Sequence, residues 1–194
     1  MLRPNQLDSD RACVLVIDLQ EKLLPLIRGA EGILAATRKL LAGAKIFELP
    51  VLATEQYPKG LGPTEASVGA ALRIAGARIL EKPTFSACGH TPIREAFCEI
   101  DRPQVIAAGI ETHVCVLQTA LDLRTMDYDV FVCADATGSR GTLDHEIALD
   151  RMGHEGVFVT SVESLLFELC QRCDTLPFKE MIALIKSTSS TNVS

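Results

Sequence analysis

The chain alternates between short, almost wholly apolar runs and longer segments in which apolar residues recur with helical spacing. The short runs are typical of strands buried on both faces of a sheet, and we predict them at residues 12–18, 50–54, 77–82, 103–110, 129–135 and 157–161. The longer segments predict helices at residues 32–48, 65–76, 91–100, 113–126, 144–156 and 161–173. This alternation predicts an α/β, three-layer Rossmann-like fold, with a six-stranded parallel sheet and helices on both faces.

The pattern shows no internal repeat and no linker between domains. A length of 194 residues, 47% of them hydrophobic, favours one globular domain with a sizeable core. We predict that this domain covers residues 1–186. The polar segment 187–194 is expected to be a disordered tail.

Charge and cysteine content narrow the function classes. The net charge is −6 and there is no run rich in Lys and Arg, so we expect no nucleic-acid partner. No apolar stretch reaches the roughly 18 residues of a membrane span, and residues 1–10 lack the apolar core of a secretion signal. Seven scattered cysteines indicate reduced thiols rather than a disulfide framework, which predicts a cytoplasmic protein.

Chemically active residues follow several of the predicted strands. Asp18 ends the first strand, Lys82 the third and Asp135 the fifth, while Cys115 comes one turn after the fourth. Each has a structural explanation by itself: a helix cap, a surface charge, a loop anchor or a buried thiol. Ligands of parallel sheets bind beyond the carboxyl ends of the strands, and an acid, a cation and a thiol there can form an activated nucleophile. Asp135 is expected to anchor the loop after its strand.

Cys115 follows Thr112, which is a suitable N-cap residue, so we expect the cysteine at the third position of the next helix. The helix dipole and free N–H groups of a first turn lower a thiol pKa below its reference of about 8.5. The same N–H groups can hold an oxyanion that forms on an attacked carbonyl. Cys115 is therefore our candidate nucleophile.

Five stretches of the chain resemble the isochorismatase-like cysteine hydrolase superfamily, which includes the nicotinamidases. They are VLVIDLQ (14–20), LEKPTFSA (80–87), AAGIETHVCVLQTALDL (107–123), ADATGSR (134–140) and HEIALDRM (145–152). The resemblance covers about residues 11–168. The segment TEQYPKGLG (54–62) is most similar to a branch of small, poorly characterised hydrolases.

The resemblance implies a catalytic triad of Asp18, Lys82 and Cys115. It also implies a cis peptide bond between Ile110 and Glu111, and an oxyanion hole made by the backbone N–H groups of Glu111 and Cys115. Phe85 is expected to form an apolar wall of the pocket. The substrate-binding residues that we predict are Gln20, Gln56, Phe85, Ile110 and His113.

Metal-dependent nicotinamidases carry an Asp-x-His pair and a further His after the second strand. This chain has Thr54, Glu55, Gln56 and Tyr57 there, so we expect no metal, no cofactor and no nicotinamide substrate. The predicted function is hydrolysis of an amide or related C–N bond of a small molecule through a thioester. Two alternatives remain: an isochorismatase-type vinyl ether hydrolase, and a non-catalytic assembly or binding protein. Family oligomers imply a homo-oligomer.

A phosphoacceptor signalling domain would share this architecture. Such domains need a second acid beside the one after the first strand and an acceptor acid after the third. Here Leu19 and Gln20 follow Asp18, and the third strand ends in Glu81 and Lys82. The sequence therefore disfavours this class.

Overall fold

A computed structural model describes residues 6–189 of the chain. Its centre is a single sheet of six parallel strands in the order β3-β2-β1-β4-β5-β6, which confirms the predicted fold class. The strands are β1 (Ala12–Ile17), β2 (Val51–Gln56), β3 (Arg78–Lys82), β4 (Gln104–Ile110), β5 (Asp129–Gly138) and β6 (Phe158–Thr160).

The described residues form eight α-helices, most of which lie in two layers, one on each face of the sheet. One layer contains α1 (Ala30–Ile46), α3 (Ala66–Ile74), α7 (Val162–Cys170) and α8 (Leu176–Ser189), and the other contains α4 (Thr91–Ile100), α5 (Leu117–Thr125) and α6 (Thr142–His154). The remaining helix, α2 (Pro58–Leu61), is a single turn after β2. None of the helices in the described part is long and apolar enough to cross a membrane.

Successive side chains of β1 point into opposite layers of the core. Val14 and Val16 belong to the apolar cluster beneath α1, whereas Cys13, Leu15 and Ile17 belong to the cluster on the other face. All six residues of β1 and all seven of β4 are buried. A strand covered on both faces needs apolar residues at every position, which is why these runs do not alternate with polar residues.

The fifth strand is longer than predicted. A register shift opposite Ala107–Gly109 lets β5 continue to Gly138, so the prediction that Asp135 ends this strand is wrong. The Asp135 carboxylate instead accepts a 2.9 Å hydrogen bond from the backbone N–H of Val162, at the start of α7. It therefore anchors a helix after the sixth strand rather than the loop after its own strand.

The C-terminal helix α8 was not predicted. It packs against α1 and α7, with Met181 fully buried. Residues 187–189 belong to this helix, although we predicted a disordered tail from residue 187. The rest of that predicted tail, residues 190–194, lies outside the described residues.

The strand order places a crevice between β1 and β4, because the chain winds to β2 and β3 on one side and to β5 and β6 on the other. Gly109 lets these two strands approach closely at this point. Its φ is 125°, and a Cβ there would clash with the backbone carbonyl oxygen of Ile17. The residues after β1 and β4 therefore leave the sheet side by side.

Candidate active site

Asp18 directly follows β1 and lies at this crevice. Its side chain is fully buried, and its Oδ1 accepts a 2.7 Å hydrogen bond from Thr54 Oγ1 on β2. The register that pairs Ile17 with Thr54 places this hydroxyl beside the carboxylate. Burial raises the pKa of the Asp18 carboxyl, and the Lys82 ammonium and the Thr54 hydroxyl oppose that rise.

Lys82 ends β3, and its side chain reaches across β2 to the same carboxylate. Its Nζ lies 2.7 Å from Asp18 Oδ2, and neither side chain has exposed area. The ammonium also lies 2.5 Å from Gln56 Oε1, and 3.0 and 3.1 Å from the backbone carbonyl oxygens of Thr84 and Phe85. A buried cation needs such partners, because a charge removed from water without them costs several kcal/mol.

Cys115 lies in a π-helical turn, Thr112–Val116, which we call the cysteine turn and which leads into α5. Its Sγ lies 3.7 Å from Lys82 Nζ and 4.0 Å from Gln56 Oε1. The residue is 7% exposed. The structure thus brings together the acid that follows β1, the cation that ends β3 and the thiol that follows β4.

The predicted lowering of the Cys115 pKa is wrong. Burial raises the pKa of this thiol to about 12, the negative charge of Asp18 adds to the rise, and the Lys82 ammonium opposes it. Thr112 is not the N-cap, because it is already inside the turn and its Oγ1 lies 2.9 Å from His145 Nδ1. The resting thiol therefore keeps its proton and needs a base to become a nucleophile.

Two of the predicted substrate-binding residues, Gln20 and Ile110, are fully buried. The Gln20 amide nitrogen donates to the backbone carbonyls of Gln56 and Gly62 at 3.1 and 2.7 Å, and its oxygen accepts from the Gln56 N–H at 2.8 Å. Ile110 packs in the core. The Gln20 side chain therefore holds the end of β2 in place, and neither residue has side-chain surface at the crevice.

The other three predicted binding residues lie nearer the surface. Gln56 is half-buried, and its amide bridges Lys82 Nζ and the Pro83 carbonyl. The Phe85 side chain is exposed, while its backbone carbonyl faces the Lys82 ammonium. His113 is half-buried in the cysteine turn, with its Nδ1 2.9 Å from Ser139 Oγ.

The peptide bond between Ile110 and Glu111 is cis, as the resemblance implies. The Glu111 carbonyl accepts hydrogen bonds from the N–H groups of Val114 and Val116, each at 3.1 Å. These donors lie on either side of Cys115, whose own N–H is not bonded to that carbonyl. The Glu111 carboxylate points away toward Arg140 and accepts bonds from its backbone N–H and its Nε at 3.0 and 3.1 Å.

The sequence reasoning missed Thr54, the residue that bonds to the Asp18 carboxylate. A signal was available, since Thr54 is a polar residue at the end of the apolar run PVLAT. Its use required the knowledge that β1 and β2 are neighbours. Thr54 is buried, so its hydroxyl has no water to bond in place of the carboxylate.

The structure contains no group of three or more His, Cys, Asp or Glu side chains placed to hold a metal ion within residues 6–189. Glu55 follows Thr54 at the end of β2, and its Oε1 accepts hydrogen bonds from the Thr64 N–H and hydroxyl, each at 2.7 Å. This carboxylate therefore fixes the segment after α2 rather than facing the crevice.

Comparisons with known proteins identify the family. The isochorismatase domain family matches residues 12–164. Isochorismatase domain-containing protein 1 of Salmo salar is 38% identical over 173 residues, which cover 89% of this chain and 60% of that protein. This chain thus spans about 60% of the length of the first relatives that it matches. A secreted isochorismatase effector, Isc1 of Phytophthora sojae, is 35% identical over 95% of this chain and 89% of its own length.

Solved structures share the fold over almost the whole chain. The MAR1 ribonuclease of Caenorhabditis elegans has a TM-score of 0.89 at 34% identity, with 97% of each chain covered. The YcaC gene product of Escherichia coli, described as an octameric hydrolase of unknown specificity, has a TM-score of 0.86 at 27% identity, covering 100% of this chain and 93% of that one. YcaC of Pseudomonas aeruginosa, solved with hexane-2,5-diol and covalent acrylamide, has a TM-score of 0.88 at 25% identity, with 98% and 97% covered.

Two of the predicted properties gain no support from these relatives. One relative is described as a ribonuclease, so the comparisons do not support the predicted exclusion of nucleic acid. Another is described as secreted, so they do not support a cytoplasmic location either. The family that the five sequence stretches predicted is confirmed: this chain belongs to the isochorismatase domain family and has the fold of its hydrolases.

Proposed function

We propose that this protein is a metal-independent cysteine hydrolase that cleaves an amide or related C–N bond of a small molecule through a thioester. The observation that carries the proposal is the fully buried ion pair of Asp18 and Lys82, whose ammonium lies 3.7 Å from Cys115 Sγ. Buried ion pairs contribute little stability compared with apolar residues of similar volume. A buried pair placed against a thiol is therefore better explained by catalysis than by stability.

In the proposed mechanism, Asp18 accepts the Cys115 proton as the sulfur attacks the carbonyl carbon and the carbonyl electrons move to oxygen. The raised pKa of Asp18 brings its basicity closer to that of the thiol. Collapse of the intermediate breaks the C–N bond, and Asp18 returns the proton to the leaving nitrogen. Water then attacks the thioester, Asp18 accepts a proton from it, and the C–S bond breaks to release a carboxylic acid. Asp18 finally returns its proton to the sulfur.

Lys82 has an electrostatic role in this scheme. Its ammonium contacts both the base and the nucleophile, so it stabilises whichever of the two carries the negative charge. The Gln56 amide oxygen and the carbonyls of Thr84 and Phe85 orient that ammonium. The proton can therefore move between Asp18 and Cys115 while the net charge of the cluster stays the same.

The oxyanion hole that we propose consists of the backbone N–H groups of Glu111 and Cys115. The hydrogen bonds from Val114 and Val116 to the Glu111 carbonyl support it, because they leave the Cys115 N–H out of that set of bonds. Two preorganised donors of this kind are each worth about 10² or more in rate.

We propose Gln56, Phe85 and His113 as substrate contacts, because all three are partly or fully exposed. The Gln56 side chain and the Phe85 backbone carbonyl contact Lys82, and His113 lies in the cysteine turn. Gln20 contributes to the proposed site by bonding to the backbone of Gln56, and Ile110 by directly preceding Glu111. Covalent acrylamide in the relative from Pseudomonas aeruginosa favours a small amide as ligand. A vinyl ether substrate and a non-catalytic binding role are the alternatives that the substrate screen below tests.

Three broader properties belong to the same proposal. A homo-oligomer is supported by the octameric relative from Escherichia coli. A cytoplasmic location is supported by the seven cysteines, all of them free. A small molecule rather than nucleic acid as substrate is supported by the net charge of −6.

The proposal is tested by a substrate screen with the unchanged protein and Cys115→Ala. The panel contains small amides, hydroxamates, a vinyl ether and a short RNA. We expect turnover of at least one C–N substrate that Cys115→Ala abolishes while its thermal melting stays close to that of the parent. Turnover that survives in Cys115→Ala, or cleavage of RNA or vinyl ether alone, would overturn the assignment.

A further inference from the structure

The side chains of the three consecutive residues 111–113 each contact the segment 139–145, which runs from the end of β5 into the first turn of α6. We call these contacts the clamp, and they are Glu111–Arg140, Thr112–His145 and His113–Ser139. The cysteine turn is therefore held from one side by a segment that contains none of the proposed catalytic groups.

The sheet register explains why these segments meet. Strands β4 and β5 pair Ile110 with Gly138, so residues 111 and 139 leave the sheet next to each other. The cysteine turn then packs against α6, which begins at Thr142. Residues in the first turns of α6 can therefore reach the start of the cysteine turn.

The contact of Thr112 with His145 is the buried member of the clamp. Thr112 has no exposed area, and its Oγ1 lies 2.9 Å from His145 Nδ1. A buried hydroxyl that loses its partner is left without a hydrogen bond and without water to replace it, which is unfavourable. By contrast, the Arg140 side chain is 61% exposed, so its ion pair with Glu111 is weakened by solvent.

The His145 imidazole can make this contact in its neutral form. Burial lowers the pKa of His145, and the nearby Glu146 carboxylate opposes that effect. A neutral ring can take either the donor or the acceptor role toward a hydroxyl. The contact therefore does not require a charged histidine.

We propose that His145 is a positioning residue for the reaction, acting through Thr112 to hold the cysteine turn so that Sγ and the oxyanion-hole N–H groups stay aligned with Asp18 and Lys82. This inference rests on the proposed function. Thr112 follows Glu111 and precedes Cys115 by three residues, so movement of its side chain displaces both proposed oxyanion donors. A displacement of about 1 Å can cost about 10²-fold in rate.

The test measures the rate at which acrylamide modifies Cys115, read by mass spectrometry of the Cys115 peptide. Exposed Cys98 in the same sample is the internal reference. We expect His145→Leu to slow the modification about tenfold or more, and His145→Asn, whose amide can replace Nδ1, to stay within about threefold of the parent. The matched control is His154→Leu on the same helix, where the imidazole is exposed and contacts Asp150; it should leave the rate unchanged.

A double-mutant cycle with Thr112→Val tests whether the two residues act together. If they do, the double variant Thr112→Val/His145→Leu loses no more than the stronger single variant. Additive losses would mean that the two residues act independently. Equal rates for His145→Leu and His145→Asn would mean that the hydrogen bond to Thr112 does not matter. Either result would overturn the positioning role.

Hydrogen exchange of the peptide covering residues 111–118 separates this inference from the proposed function. We expect faster exchange there in His145→Leu, and parental exchange in His145→Asn and His154→Leu. Unchanged exchange in His145→Leu would overturn the positioning role of the clamp, whatever the rate at which acrylamide modifies Cys115. A parental Cys115 that takes no acrylamide while Cys98 does would instead overturn the proposed function.

Discussion

Replacing Asp18 with Asn is expected to change two properties of Cys115 in opposite directions: the thiol ionises more easily, and turnover falls. The charge of Asp18 is the largest cause after burial of the raised Cys115 pKa. Asn has nearly the same volume and can still accept the Thr54 hydrogen bond, but it carries no charge. The Lys82 ammonium, 3.7 Å from the sulfur, then stabilises the thiolate without a competing carboxylate.

Burial and the Asp18 charge raise the pKa of Cys115 from 9.0 to about 12, so almost all of the thiol is protonated at pH 7. Removing a nearby charge moves a pKa by about 1–3 units. Each unit by which the pKa falls raises the thiolate fraction at pH 7 about tenfold, but it also makes the thiolate less nucleophilic, with a Brønsted coefficient of about 0.4–0.5. The net acceleration of alkylation is therefore about threefold per unit, or about 3- to 40-fold over this range.

Iodoacetamide labelling at pH 7, with Cys98 as internal reference, measures the first property, since this displacement needs no oxyanion hole. Turnover of an amide from the screen measures the second, and we expect a loss of about 10²-fold or more because the general acid–base group is missing. Slower alkylation in Asp18→Asn would show that Asp18 keeps the sulfur ionised, and would refute a protonated resting thiol. Undiminished turnover would remove Asp18 as the acid–base group.

Three further substitutions test the site and the crevice. Thr54→Val removes a hydrogen bond to the Asp18 carboxylate, the proposed base, and should lower turnover about tenfold or more. Thr54→Ser keeps the hydroxyl and should retain the parental turnover; equal rates for the two variants would argue against a role of the hydroxyl. Lys82→Met should lower the free energy of unfolding in urea by about 3–5 kcal/mol, because it leaves the buried Asp18 carboxylate without its partner. Lys39→Met removes a partly exposed ion pair with Glu163 and should lower it by less than about 1 kcal/mol. Similar losses in the two variants would contradict burial of the charge. Gly109→Ala should destabilise the fold by more than about 4 kcal/mol, because the added Cβ clashes with the Ile17 backbone. Gly153→Ala on α6, where a Cβ has free space, should stabilise the fold slightly. A Gly109→Ala variant as stable as the parent would refute the close approach of β1 and β4.

The sheet was predictable because its strands are buried on both faces. Runs such as ACVLVID contain apolar residues at every position of the strand, and the observed β1 begins and ends within one residue of the prediction. Where the local signal was weaker, the prediction failed. β5 continues beyond Asp135 through a register shift that depends on its neighbour β4, and α8 is held by packing on α1 and α7.

The residues of the proposed triad were predictable as candidates, but their electrostatics were not. Strand ends bring Asp18, Lys82 and Cys115 to one edge of the sheet, which the alternating pattern implies. The direction of the Cys115 pKa depends on how deeply the thiol is buried and on its distance from one anion and one cation. Those quantities follow from packing across three strands, and the position of Cys115 after a strand specifies neither.

The π-helical form of the cysteine turn was also beyond sequence reasoning. Thr112 is a good N-cap residue by type, yet its hydroxyl lies against His145, more than 30 positions away in the chain. A capping preference is a local tendency worth about 1 kcal/mol, so one buried long-range contact can override it. The clamp could therefore be recognised only once β4 and β5 were seen as neighbours.

The role of Cys115 as nucleophile is tested by the mass of the protein quenched in acid during turnover of a substrate from the screen, followed by peptide mapping. We expect an acyl group on the Cys115 peptide, with the mass of the acyl half of the substrate, and no adduct in Cys115→Ala. Turnover without any acyl group on Cys115, or with the adduct on another residue, would contradict the assignment of this cysteine as the nucleophile.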